Sequence, residues 1–163
     1  MSVNPSEAPT AGRIEARLAE LGIELPAVAA PLAAYVPALA HDGLVYTSGQ
    51  LPTVAGELQG VGKVGADVAP EDAKALARLA AINALAAVKA QIGDLDRVTR
   101  VVKVVGFVSS DPSFTGQPGV VNGASELLGE VFGEVGAHAR SAVGVAVLPI
   151  DAPVEVELVV AYA

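Results

Sequence analysis

The last sixty residues of the chain carry seven carboxylates and one lysine or arginine, Arg140. That arginine opens an apolar run, Ala142-Val143-Gly144-Val145-Ala146-Val147. A guanidinium in such a run needs an anion, because an unpaired buried charge is costly. Two partners would satisfy it: a local glutamate in an internal salt bridge, or a ligand carboxylate gripped by the planar fork. Further on, Glu155 and Glu157 alternate through Val154-Glu155-Val156-Glu157, so both project from one face of a strand. Pairing the two runs as a hairpin through Pro149 to Ala152 sets Arg140 beside Ala161 and Glu155 beside Ala146, about 20 Å apart at roughly 3.3 Å per residue. A site using both must then lie between two subunits.

Other chemistry is weakly encoded. Gly60-Val61-Gly62-Lys63-Val64-Gly65 has the spacing of a dinucleotide-binding loop, but that role requires a strand just before the glycines and a helix starting on them. Pro70 delays the helix, and a flexible loop is the expectation. Ser48, in Thr47-Ser48-Gly49-Gln50, lacks the elbow motif that exposes a serine nucleophile. His41 and His138 have no serine or acid at a spacing that suggests a triad. With two histidines and no cysteine the chain implies no metal centre, and no cofactor.

The net charge of −8 opposes the clustered cations that grip a phosphate backbone, so nucleic acid is not an expected partner. The N-terminus MSVNPSEAPT lacks a secretory pattern, and the apolar stretch Ala27 to Ala40 is broken by Pro31 and Pro37. It falls short of the ~20 residues a membrane span requires. The expectation is a cytoplasmic protein without a membrane partner.

The elements that must position these residues follow from apolar period and punctuation. A first helix is expected from about Ser6 to Leu21, ended by Gly22. A hairpin turns at Asp42-Gly43 between Tyr35–Ala40 and Leu44–Ser48. Thr53 to Ala69 reads as a loop with one short strand near Leu58. A long apolar helix runs from Pro70 to Ile92, buried on more than one side and stopped by Gly93. A Val-rich strand follows from Val98 to Val108, then a helix from Pro118 to Val135 whose Glu126, Glu130 and Glu134 make a solvated face. Two strands, Arg140–Leu148 and Val154–Tyr162, close the chain. This is an α+β order in which two helices cover one face of a mixed or antiparallel sheet, with an extra N-terminal helix. Residues 1–30 form the helix and linker, 31–163 the main domain. The other sheet face is apolar enough to expect a second subunit on it.

Several ordered motifs carry a family resemblance. His138-Ala139-Arg140-Ser141-Ala142-Val143, Leu148-Pro149 and Val154-Glu155-Val156-Glu157 form one set. Tyr35, Tyr46-Thr47-Ser48-Gly49-Gln50-Leu51-Pro52, Asn83 and Val121-Asn122 form another. Together, from about Tyr35 to Tyr162, they resemble the RidA family, also called YjgF or L-PSP endoribonuclease-like. The resemblance implies a chorismate-mutase-like fold, a homotrimer, and ligand sites between subunits. It also implies hydrolysis of reactive 2-imino or enamine acids, products of pyridoxal-phosphate dehydratases, to 2-keto acids and ammonia. Arg140 would hold the substrate carboxylate and Glu155 would position or activate water. Tyr35, Ser48 and Asn122 would line the pocket, with backbone N–H groups near Ala142 polarising the developing charge. Ala142 stands where the family often has Cys, and His138 where it often has Pro. The alternatives are a binding module that senses a keto acid without turnover and, third, the ribonuclease of the family's older name.

Overall fold

The computed structural model describes residues 12–28 and 34–163. Helix α1 spans Arg13–Glu20; the expected start at Ser6 lies outside the described residues. Its first turn is capped from a distance: the backbone N–H groups of Arg13 and Ile14 donate to the Asp96 carboxylate at 2.8 and 2.7 Å. Those two bonds, that of Ile14 first, hold the Asp96 carboxyl below its ordinary range. Ile14 and Leu18 are buried in the same core as the rest of the chain.

Strands β1 (Ala38–His41) and β2 (Leu44–Thr47) form the expected hairpin. Asp42 and Gly43 have φ of 49° and 75°, the paired positive values of a type I′ turn, whose twist matches that of the strands. The following segment holds two minimal strands rather than one, β3 (Thr53–Val54) and β4 (Glu57–Leu58), paired with each other. The Gly60–Gly65 loop is tied down: Lys63 N–H donates to Asp67 Oδ2 at 2.9 Å, Lys63 Nζ to Ser109 Oγ at 2.8 Å, and Val64 bridges Ser110 and Val68.

Helix α2 spans Pro70–Ile92, with Glu71 and Asp72 in its first turn and the Gly93 N–H on the Lys89 carbonyl. By length and composition it could cross a bilayer, but its apolar residues have another use. Ala73, Ala77, Ala80, Ala84, Leu85 and Val88 are fully buried against the sheet and the third helix. Asn83 on α2 donates to the Leu51 and Thr53 carbonyls at 2.9 and 3.0 Å, fastening the chain that leaves β2. Strand β5 is Val98–Ser109, α3 is Gln117–Phe132, and a 3-10 turn over Gly133–Gly136 leads into β6 (Ala139–Val145). Another 3-10 turn, Pro149–Asp151, precedes β7 (Val154–Tyr162). On α3 the expected solvated face is exposed, but Glu126 and Glu130 reach Lys74 and Arg78 of α2 at 3.1 and 2.9 Å. Exposed pairs of this kind contribute about 0–1 kcal/mol each.

The main sheet has the order β1-β2-β7-β5-β6, with Val45, Val104, Val156, Leu158 and Val160 facing the helices. The expected closing hairpin is absent. β6 pairs in parallel with β5, Val104 opposite Arg140, while β7 lies on the far side of β5 with Phe107 opposite Glu155. Arg140 is therefore not beside Ala161, nor Glu155 beside Ala146. The eight residues from 146 to 153 cross the end of β5 instead of turning tightly, anchored there by Ser109 N–H on the Pro153 carbonyl at 2.9 Å. A parallel β5–α3–β6 unit results, which leaves β6 as an edge strand.

Candidate functional site

The motif after β2 is locked residue by residue. Thr47 Oγ1 accepts the Leu158 N–H at 2.9 Å. The Ser48 hydroxyl donates to the Val36 carbonyl at 2.6 Å, and its N–H to the Pro37 carbonyl at 2.8 Å. Gln50 exchanges both backbone bonds with Val156. Gly49 lies against the Glu155 side chain so closely that a Cβ there would collide with Oε1. These contacts gather Ser48, Gly49, Glu155 and the segment bearing exposed Tyr35 at one end of the sheet.

Glu155 stands on the uncovered face with Glu157, two residues on. Half-burial raises its pKa above the ordinary carboxylate range, and the neighbouring Glu157 charge raises it further.

Arg140 belongs to the opposite side. It is level with buried Val104 and turns toward α3, where Nη1 donates to Asn122 Oδ1 at 2.7 Å and to Ser125 Oγ at 3.2 Å. Nη2 donates to the Pro118 carbonyl at 3.3 Å. Every one of these partners is neutral. Among the described residues no ion pair includes Arg140, so the internal salt bridge is not what seats it. Ala142, two residues further along β6, is half-buried and opposite Gly106.

Arg140 and Glu155 are thus two strands and three register positions apart, about 14 Å at roughly 4.8 Å per strand and 3.3 Å per residue, and on opposite faces. This replaces the hairpin estimate of about 20 Å but leaves its consequence: one small ligand does not bridge them within a chain. Two surface clefts, of about 390 and 410 Å³, lie at Leu25–Gly93 and Gln59–Leu76 and contain neither residue. The structure brings Arg140 to Asn122, and Glu155 to Ser48 with the Tyr35 segment, as two separate half-sites.

One pair was not anticipated. Ser125 Oγ and His138 Nε2 are 2.8 Å apart, and His138 Nδ1 is 2.6 Å from the Gly136 carbonyl. The signal was positional: Ser125 lies one helical turn after Asn122, and His138 lies one strand period before Arg140, so both share a face with a chosen residue.

The family described as "YjgF/chorismate_mutase-like, putative endoribonuclease" matches residues 15–162. The chain is 49% identical over 152 residues to protein TCP17 of Trypanosoma cruzi, covering 91% of this chain and 94% of that one. Among solved structures it is similar to protein Atu1372 of Agrobacterium tumefaciens, of unknown function, at 49% identity and TM-score 0.86, with 92% of each chain covered. It is also similar to TdcF of Escherichia coli with bound serine, at 26% identity and TM-score 0.57, covering 85% of this chain and 93% of that one. The chain belongs to the YjgF/RidA family, and its fold is the chorismate-mutase-like α+β fold of that family.

Proposed function

We propose that the protein hydrolyses small 2-imino or enamine acids to 2-keto acids and ammonia, in clefts between the subunits of a homotrimer. The observation that carries this reading is the seating of Arg140: a guanidinium held by three neutral oxygens, with no carboxylate partner among the described residues. Such a group still has a charge to satisfy, and a substrate carboxylate satisfies it. The serine bound by the Escherichia coli relative, an amino acid with its own carboxylate, agrees with that ligand class.

The uncovered sheet face supports the assembly. Leu39 and Tyr46 are 57% and 43% exposed there, and Val143 on β6 is 43% exposed, an apolar surface of the kind that subunits cover. In the assembled cleft Arg140 of one copy faces Glu155 of the next. The Glu155 carboxylate takes a proton from water as its oxygen adds to the imine carbon. It returns that proton to nitrogen to give a carbinolamine, then carries the hydroxyl proton to the same nitrogen as the C–N bond breaks, so that ammonia leaves behind a carbonyl. Edge strand β6 offers backbone N–H groups near Ala142 for the developing charge. The chain's acidity opposes the ribonuclease reading.

In a direct test, 2-iminobutanoate generated in place by a threonine dehydratase decays faster with the protein present. Glu155→Gln lowers turnover more than it lowers affinity for 2-ketobutanoate. Binding of 2-ketobutanoate without any acceleration would instead make the protein a carboxylate-binding module.

The two glutamates set the expected pH dependence. The Glu157 charge favours the protonated form of Glu155, so removing it lets Glu155 ionise at lower pH. Glu157→Gln therefore moves the acid limb of kcat/KM to lower pH, measured as a pH–rate profile. A limb that stays in place or moves up contradicts Glu155 as the base.

A further inference from the structure

Arg140 carries five N–H donors, and the structure shows how three are used. Nη1 donates to both Asn122 Oδ1 and Ser125 Oγ, and Nη2 donates to the Pro118 carbonyl. Among the described residues Nε has no hydrogen-bond partner and Nη2 has one, so the Nε/Nη2 edge of the fork is the less occupied one. Ser125 takes its place in this pattern because of His138. The Gly136 carbonyl only accepts, so His138 Nδ1 bears the hydrogen, and in the neutral ring Nε2 is bare. Arg140 Nη1 only donates, so Ser125 Oγ accepts from it and sends its own hydrogen to Nε2. With the ring neutral, one assignment satisfies every contact from Gly136 to the guanidinium.

We infer that Ser125 and His138 are positioning residues for Arg140: by occupying Nη1 they leave the Nε/Nη2 edge as the one that meets a ligand carboxylate. This rests on the reading of Arg140 as the carboxylate clamp. His138 stands where the resembled family often has Pro. It acts through Arg140 and needs no contact with the reacting atoms.

The test uses the full chain and 2-ketobutanoate as probe, with affinity read by calorimetry. Ser125→Ala and His138→Ala each weaken binding about fivefold, the loss of one hydrogen bond, and Ser125→Thr, which keeps the hydroxyl, restores it. The double variant Ser125→Ala/His138→Ala is no weaker than either single one, because both break the same chain of bonds. Multiplying losses, or unchanged affinity in both single variants, overturns the relay. Unchanged affinity in Arg140→Ala overturns instead the clamp reading on which it rests. A second measurement needs no ligand: nitrogen NMR of the ring, easily assigned in a chain with two histidines, shows His138 as the Nδ1–H tautomer. An Nε2–H tautomer in the wild type contradicts the relay whatever the protein binds.

Discussion

Arg140→Ala is expected to lower kcat/KM for 2-iminobutanoate, and affinity for 2-ketobutanoate, by roughly a hundredfold or more. Two charge-assisted hydrogen bonds contribute about 1.5–3 kcal/mol each, so their loss sums to at least about 3 kcal/mol, and each 1.36 kcal/mol is a factor of ten. The variant should stay folded. The side chain lies on edge strand β6 and, among the described residues, its hydrogen bonds go to Asn122, Ser125 and the Pro118 carbonyl, so its removal leaves small polar groups. A melting temperature close to wild type, measured beside the kinetics, separates a lost clamp from a lost fold. Arg140→Lys keeps the charge and loses the fork, so it should fall between wild type and Arg140→Ala. If Arg140→Ala retains activity and affinity within about threefold, where two lost bonds predict far more, the carboxylate is held elsewhere.

Why the elements were readable and their pairing was not comes down to where the information sits. Asp42-Gly43 specifies its turn through two backbone angles, and Pro70 and Gly93 bracket α2 through a missing donor and a left-handed φ. These are local properties of a few residues. The neighbour of β7 is not local. Val-rich β5 presents an apolar edge that suits β6 in parallel and β7 antiparallel at once, and nothing in Val154–Tyr162 distinguishes pairing with β5 from pairing with β6. β6 ends at Val145 rather than at the expected Leu148, so eight residues rather than a tight turn separate it from β7, and the apolar run Ala146-Val147-Leu148 hid that ending. The site divides in the same way. Arg140 stood out because it is the one lysine or arginine in a long acidic segment, and Glu155 because it alternates with valines. Ser125 and His138 carry no charge contrast, so their partnership emerges only when α3 is laid across β6.

Mixing two inactive variants should recover activity if the site is shared between copies. Arg140→Ala keeps Glu155, and Glu155→Gln keeps Arg140. With the half-sites of one chain about 14 Å apart on opposite faces, neither residue can complete a site with its own partner. In a closed ring each cleft would draw Arg140 from one copy and Glu155 from the next. When the variants are unfolded together in equal amounts and refolded, a cleft is intact when the first copy is Glu155→Gln and the second Arg140→Ala. That is one half times one half, so about a quarter of wild-type activity returns on random assembly. The recovery should rise and fall with the product of the two fractions as the mixing ratio is varied, peaking at equal amounts. A site built within one chain gives no recovery at any ratio. Light scattering on the same samples supplies the remaining condition, because a monomer mass at micromolar concentration removes the shared cleft regardless of the kinetics. A trimer mass with no recovery would mean that the Arg140 and Glu155 half-sites serve different ligands.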